Sequence, residues 1–313
     1  MCEALKVLAS VRFPGPAFEE LTDVELLEAA LPEGIGTPRS DVEALAVVHE
    51  VVDERTLELL PALRLVANYG VGYDGVDVAA CLARGVAVTN TPGVLDAATA
   101  ELALALMLAS RRRVVEGDGL VRRGVWPSGI DRFLGEELAG ATLGIVGLGR
   151  IGRAVARRAR GFDMRVLYTK RQRLERGEEA ALGVDHRELD DLLAEAEIVS
   201  LHVPLEQRTR HLIDARRLGL LRPGACLVNT ARGELVDEPA LIAALEQGRI
   251  KAALDVFSDE PRVPARLLEL PNVVLTPHIG SATGATRAAM TRLLVDNILA
   301  AAGGRPLPTP VAA

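Results

Sequence analysis

Short runs of β-branched and aliphatic residues alternate along this chain with stretches whose apolar positions recur every three or four residues. In the first third, Lys6–Ser10, Ala46–Val48, Leu65–Asn68 and Ala87–Asn90 predict strands, and Val24–Ala30, Thr56–Leu60 and Val76–Arg84 predict helices between them. Gly85, directly after Arg84, is a helix stop. A second alternation places strands at Thr142–Val146, Arg165–Tyr168, Ile198–His202, Cys226–Asn229, Lys251–Asp255 and Val273–Thr276, with helices at Ile151–Arg160 and Glu188–Ala194. Helices between strands act as crossovers, so both patterns predict parallel sheets. The expected fold is α/β: two doubly wound parallel-sheet domains of Rossmann or flavodoxin-like type, with the active site in the cleft between them. Asp96–Ser110, rich in Ala and Leu and weakly amphipathic, predicts a helix buried on several sides, as one joining two domains would be. A last helix over Gly284–Ala302 leads to a Pro-rich tail.

The first candidate for chemistry opens the second alternation. Gly147-Leu148-Gly149-Arg150-Ile151-Gly152 follows the strand Thr142–Val146 and starts a helix. A glycine pattern alone is a weak signal, but strand before and helix after is the context of a dinucleotide loop. Gly147 would allow the tight turn, Gly149 would let the backbone approach a pyrophosphate, and Gly152 would let helix pack on strand. The helix N-terminus would offer N–H groups and positive potential to the phosphates.

The end of the next strand bears on which dinucleotide binds. An NAD-type fold places an acid about 20 residues on, to accept the adenosine ribose hydroxyls. Here Thr169, Lys170 and Arg171 follow Tyr168, and no acid appears before Glu175. A hydroxyl and two cations suit a 2′-phosphate, so NADP(H) is the expected cofactor, with NAD(H) possible. The competing reading is that Lys170 and Arg171 are ordinary solvated loop charges.

Three later segments, Asn229–Glu234, Asp255–Pro261 and Thr276–Thr283, contribute Arg232, Glu260 and His278. Hydride transfer to a 2-oxo acid needs a cation for the carboxylate and carbonyl, an acid for the carbonyl oxygen and a bound nicotinamide. Singly, each residue has a structural reading. The histidine could pack in a turn, the glutamate could be solvated beside Pro261, and the arginine could cap the helix starting at Asp237.

In order, and with Asn68–Asp74, Asn90–Val94, the glycine loop and His202-Val203-Pro204-Leu205, these segments resemble the D-isomer-specific 2-hydroxyacid dehydrogenases, nearest to the glyoxylate/hydroxypyruvate reductase branch. The resemblance covers essentially the whole chain. It implies a substrate-binding domain of residues 1–97 completed by 287–313, and a dinucleotide-binding domain of residues 98–286. It implies His278 as acid/base, Glu260 as the partner that favours imidazolium, and Arg232 on the substrate. Val71 and Gly72 would bind the substrate carboxylate through their N–H groups, and Asp255 the nicotinamide carboxamide. His202, Pro204, Thr230, Ala231 and Gly280 would line the cofactor site. The implied reaction is reduction of a small 2-oxo acid to the (R)-2-hydroxy acid. Alternatives are a 2-ketogluconate or hydroxyphenylpyruvate-type reductase, or a dinucleotide-sensing corepressor on the same fold. A homodimer is also implied, formed through the Asp96–Ser110 helix and the loop around Trp126, though a helix buried within its own domain would look the same.

Composition narrows the classes. With a formal charge of −7, 49% hydrophobic and 25% charged residues, the chain reads as a soluble globular enzyme without a nucleic-acid partner. The basic runs Arg111–Arg113 and Arg157-Arg158 are expected to form solvated helix faces. Cys2, Cys81 and Cys226 are odd in number and unpaired in spacing, and no metal-ligand cluster is visible, so neither a disulfide nor a metal is expected. The N-terminus lacks a signal-peptide pattern and no apolar run approaches a membrane span, which gives an expectation of the cytoplasm. His49, His186 and His211 match no motif and are read as surface or structural residues.

Overall fold

The computed structural model describes residues 5–129 and 131–312. Cys2 and the first residues of the N-terminal stretch lie outside them. The chain divides into two compact units, residues 1–95 with 281–313 and residues 96–280.

The first unit opens with β1 (Val7–Ala9), β2 (Val24–Leu26), β3 (Ala44–Val47), β4 (Leu65–Asn68) and β5 (Ala87–Thr89), with α1 (Glu54–Leu59) and α2 (Val78–Ala83) as short crossovers. All pairings are parallel, in the order β2-β1-β3-β4-β5, which is the flavodoxin-like winding. Asp53 and Asp77 cap α1 and α2 by accepting from the N–H groups of Thr56 and Ala80.

Residues 24–30 correct the sequence reading. In place of a helix, Val24–Leu26 forms an edge strand, in register with Val7–Ala9. The Leu27 N–H donates to the Ala9 carbonyl, extending that pairing, and Pro32 follows too soon for a helix of useful length. Pairing to β1 satisfies more backbone groups than one isolated helical turn would.

The second unit begins with α3 (Asp96–Arg111) and α4 (Val114–Arg122). The sheet strands are β6 (Thr142–Val146), β7 (Arg165–Thr169), β8 (Val184–His186), β9 (Ile198–Leu201), β10 (Cys226–Asn229), β11 (Lys251–Leu254) and β12 (Val273–Leu275). The helices between them are α5 (Arg150–Ala159), α6 (Arg176–Leu182), α7 (Leu189–Glu195), α8 (Ala215–Leu220), α9 (Glu238–Glu246) and α10 (Ala265–Glu269). The order β12-β11-β10-β9-β6-β7-β8 is the Rossmann winding with one further strand. Its direction reverses between β6 and β9, so the switch point lies at the carboxyl ends of those two strands.

The apolar run of α3 belongs to this unit's own core. Ala103, Leu104, Leu106 and Met107 pack with Ile145, Val155 and Tyr168. Arg111 departs from the solvated face expected of it. It is buried at the end of α3, 3.4 Å from Glu136 and 3.8 Å from Glu197. Arg112 and Arg113 lie beyond the helix, with Arg113 in the left-handed region. The chain then returns to the first unit through α11 (Gly284–Ala302), whose Thr291 hydroxyl donates to the Pro14 carbonyl. No helix among the described residues is long and apolar enough to cross a membrane.

Candidate active site

The glycine loop leaves the carboxyl end of β6. Gly147 has φ +96°, and a Cβ there would lie 2.5 Å from the His202 carbonyl oxygen, so glycine is required twice over. A Cβ on Gly152 would meet the Gly147 carbonyl at 2.2 Å, which fixes how closely α5 approaches its own loop. Gly149 is different: among the described residues nothing lies within 4 Å of its Cβ position. The protein's own packing does not demand that glycine, whereas a ligand approaching the backbone would. Gly149 caps α5 with no side-chain hydrogen bond, Leu148 is buried beneath, and Arg150 is exposed at the first turn.

His202 follows β9 on the other side of the switch point. Its Nε2 lies 2.8 Å from the Ser200 hydroxyl, and burial pushes its imidazole down to about 4. Its N–H donates to the Val146 carbonyl, which ties the end of β9 to the loop. The Pro204 carbonyl accepts from the Thr209 hydroxyl at 2.7 Å, closing the next turn.

β10 delivers Arg232. Asn229, buried, grips the following turn at both ends. Its Oδ1 accepts from the Ala231 N–H at 3.0 Å and its Nδ2 donates to the Arg232 carbonyl at 2.7 Å. Arg232 is thereby held extended and half-buried, with Nη1 donating to the Ala231 carbonyl. A Cβ on Gly233 would fall 2.0 Å from the Phe257 carbonyl carbon. Only glycine lets this turn lie against the loop that carries Glu260. The Thr230 hydroxyl is buried with no hydrogen-bond partner among the described residues, which leaves a polar atom for a ligand to satisfy.

β11 and β12 deliver the acid and the histidine. The Glu260 Oε1 accepts from the Phe257 N–H at 3.0 Å, and its Oε2 lies 2.7 Å from the His278 Nδ1. Both side chains remain about a third exposed, 31% for Glu260 and 28% for His278, so a substrate can reach the ring. His278 has φ 51°, a left-handed conformation that is costly for a non-glycine residue. Asp255 holds it there. The fully buried Asp255 carboxylate accepts from the Thr276 hydroxyl at 2.6 Å and from the Ile279 and Gly280 N–H groups at 2.8 Å each. The Asp255 carbonyl accepts from the His278 N–H at 2.9 Å. Burial raises the Asp255 carboxyl above the usual carboxylate range, with the three donors acting against that rise.

Thr169, Lys170 and Arg171 lie at the carboxyl end of β7, lining a cavity of about 470 Å³ with Arg173, His186, Glu188 and Leu189. Sequence reasoning missed Arg173 and His186. Arg173 pairs through Nε and Nη2 with both oxygens of Glu179. The buried Tyr168 hydroxyl donates to Glu179 at 2.8 Å and accepts from the Leu174 N–H. Arg173 and Tyr168 together hold the Glu179 carboxyl down at about 2. His186, read as a surface or structural residue, meets Tyr168 edge-on with ring centroids 5.3 Å apart. The position of Arg173 two residues after the Lys170-Arg171 pair was the available signal for it.

Arg232, Asp255, Glu260, His278, the glycine loop and the basic cavity therefore all stand on the second unit, along the carboxyl edge of its sheet. Val71 and Gly72 belong to the first unit, in the loop that leaves β4. Among the described residues no group of three or more His, Cys, Asp or Glu side chains is placed to hold a metal ion.

A Rossmann unit with an uncrowded Gly149, a Thr230 hydroxyl unpartnered among the described residues and a carboxylate–imidazole pair fits a dinucleotide-dependent dehydrogenase. Residues 104–280 match the family model described as D-isomer specific 2-hydroxyacid dehydrogenase, NAD binding domain. The chain belongs to that family and is an oxidoreductase that uses a nicotinamide dinucleotide. Among its relatives, the glyoxylate reductase of Pyrococcus furiosus is 51% identical over 276 residues, spanning 86% of this chain and 82% of that protein. The glyoxylate reductase of Thermococcus litoralis is 46% identical, over 91% of this chain and 89% of its own length. Among solved structures, the NADPH-dependent glyoxylate/hydroxypyruvate reductase of Sinorhizobium meliloti in complex with NADP and malonate is 35% identical. It superposes with a TM-score of 0.87 over 99% of this chain and 97% of that one.

Proposed function

We propose that this enzyme reduces glyoxylate and related small 2-oxo acids to the (R)-2-hydroxy acid, reversibly and with NADPH preferred over NADH. The observation that carries the reading is the 2.7 Å contact between Glu260 and His278 at the carboxyl edge of the dinucleotide-binding sheet. The names of the relatives supply the substrate class.

A nicotinamide dinucleotide held by the glycine loop would supply the hydride that C2 of the oxo acid receives. The remaining work falls to side chains. Glu260, facing Nδ1, aims the ring, and Nε2 is assigned the proton that the carbonyl oxygen needs. The Arg232 guanidinium draws electron density from the carbonyl and binds the carboxylate. The N–H groups of Val71 and Gly72, in the first unit, are assigned to the substrate carboxylate by the family resemblance. Asp255 keeps the turn bearing His278 in place. Its carboxylate already accepts three hydrogen bonds, so any contact with the carboxamide would use its remaining acceptor capacity.

Cofactor choice rests on the basic cavity. Lys170 and Arg171 face it, and Arg173 is fixed at its wall by Glu179. A 2′-phosphate would gain charge-assisted hydrogen bonds there, and no residue at the Thr169 position repels it. A panel of 2-oxo acids assayed with NADPH and with NADH tests the assignment. Glyoxylate should be turned over faster than branched or aromatic 2-oxo acids, and more efficiently with NADPH. Failure to oxidise either cofactor with any oxo acid at micromolar enzyme would refute it.

We also propose a homodimer, with the apolar surface of α4 and the following segment as the contact. Val114, Val115, Val121, Trp126 and Leu134 are all exposed, Trp126 at 80%. These residues support pairing better than the α3 run does, since that run is spent inside its own unit. Light scattering that gave the mass of a single 33.3 kDa chain at micromolar concentration would refute the dimer.

A further inference from the structure

The loop from Gly70 to Gly72 has every carbonyl drawn inward. The Gly70 oxygen accepts from the Thr91 N–H at 2.9 Å and from the Asn68 Nδ2 at 3.2 Å. The Val71 oxygen accepts from the Asn90 Nδ2 at 2.9 Å, and the Gly72 oxygen from the Asn68 Nδ2 at 2.9 Å. In a planar trans peptide the C=O of one residue and the N–H of the next point in opposite directions. Pulling the Gly70 and Val71 carbonyls inward therefore turns the N–H groups of Val71 and Gly72 outward as a pair. Neither donates to a protein acceptor among the described residues. Two adjacent outward amides form an anion-binding concavity.

What holds Asn90 is distant in sequence. The Thr309 hydroxyl donates to the Asn90 carbonyl at 2.6 Å, and the Asn90 N–H reaches back to the Thr309 carbonyl at 3.4 Å. Thr309 is fixed in turn by the fully buried Asn297 of α11. The Asn297 Nδ2 donates to the Thr309 hydroxyl at 2.9 Å, and its Oδ1 accepts from the Thr309 N–H at 3.2 Å. Val311, buried beside β5, anchors the segment by donating to the Val88 carbonyl at 2.8 Å.

We propose that Asn90 and Thr309 are positioning residues for the substrate carboxylate: the relay Asn297–Thr309–Asn90–Val71 sets the direction of the Val71 and Gly72 amides. The proposal rests on the reading that those amides receive the carboxylate. Asn68 fixes the two ends of the loop, and Asn90 fixes its middle carbonyl, whose orientation decides where the Gly72 N–H points.

The test uses the full enzyme labelled with [15N]valine and [15N]glycine and titrated with oxalate, a non-reacting dianion. The Val71 and Gly72 resonances of the wild type should shift on titration. If oxalate competes with glyoxylate and neither resonance moves, the carboxylate reading itself is wrong and the relay falls with it. Given the shift, Thr309→Val should raise the KM for glyoxylate about three- to tenfold, the size of one lost neutral hydrogen bond. The KM for NADPH should stay put, and Thr309→Ser should restore the wild-type value. Asn90→Ala should act in the same direction and move the free-state Gly72 resonance. Unchanged KM and oxalate affinity in folded Thr309→Val and Asn90→Ala enzymes would overturn the relay while leaving the carboxylate reading intact. Equal rises in both KM values would also overturn it, because they would mark a general structural loss.

Discussion

Glu260 meets the His278 ring at 2.7 Å with one carboxylate oxygen while its other oxygen is fixed by the Phe257 N–H. The acid is thus aimed by its own loop, and the ring is aimed by the acid. With Nδ1 engaged by Glu260, we assign proton transfer to Nε2.

That geometry makes Glu260→Gln a test of how the ring is aimed. The amide replaces a charged acceptor at Nδ1 with a neutral group, so the ring is held less firmly, and kcat for glyoxylate reduction should fall about tenfold or more while the KM for NADPH stays put. A kcat equal to that of the wild type would disprove the pairing.

Asp255→Asn tests what holds the His278 turn. The amide keeps the shape but presents a donor at one of the two oxygen positions, where either the Ile279 or the Gly280 N–H requires an acceptor. Loss of one or more buried hydrogen bonds should cost about 1–3 kcal/mol in denaturant unfolding. Turnover should fall with it, because φ 51° at His278 is no longer over-determined. Full stability with full activity would show that the carboxylate is not what fixes the turn.

Most of the sheet could be read from sequence, because parallel strands buried on both faces are near-continuous apolar runs, as in Ile198–Leu201 or Cys226–Asn229. The glycine loop could be read because its constraints are local. Val24–Ala30 misled because its helical spacing was overridden by pairing with Val7–Ala9, a relation that no local window contains. Glu260 and His278 were recognisable as motif residues, yet sequence could not show the Asp255 carboxylate gathering three donors from residues 276–280. The Tyr168–Glu179–Arg173 clip was hidden for a different reason. A buried tyrosine looks like core until its hydroxyl partners are known.

Cofactor preference is testable at two positions. Thr169→Asp places a carboxylate where a 2′-phosphate would lie and should turn the preference toward NADH. Glu179→Gln should weaken the hold on Arg173 and raise the KM for NADPH more than that for NADH. Equal catalytic efficiency with both cofactors in the wild type would mean that Lys170 and Arg171 serve solvent.

His202 predicts a pH dependence of stability. Burial lowers its imidazole from 6.5 to about 4, so the unfolded chain binds the extra proton first. The folded state should therefore lose stability as pH falls from about 6.5 toward 4, and His202→Asn should flatten that part of the curve. An identical slope in the variant would remove His202 as a source of the effect.

The acid/base assignment of His278 is the centre of this account, and one comparison tests it most directly. Steady-state reduction of glyoxylate by NADPH should be measured for wild type and for His278→Asn, with NADPH binding followed separately by fluorescence. Turnover should drop by roughly 10²–10⁴, the range for a lost general acid, while the NADPH dissociation constant stays within a factor of about two. A folded His278→Asn enzyme with wild-type turnover would contradict the assignment outright.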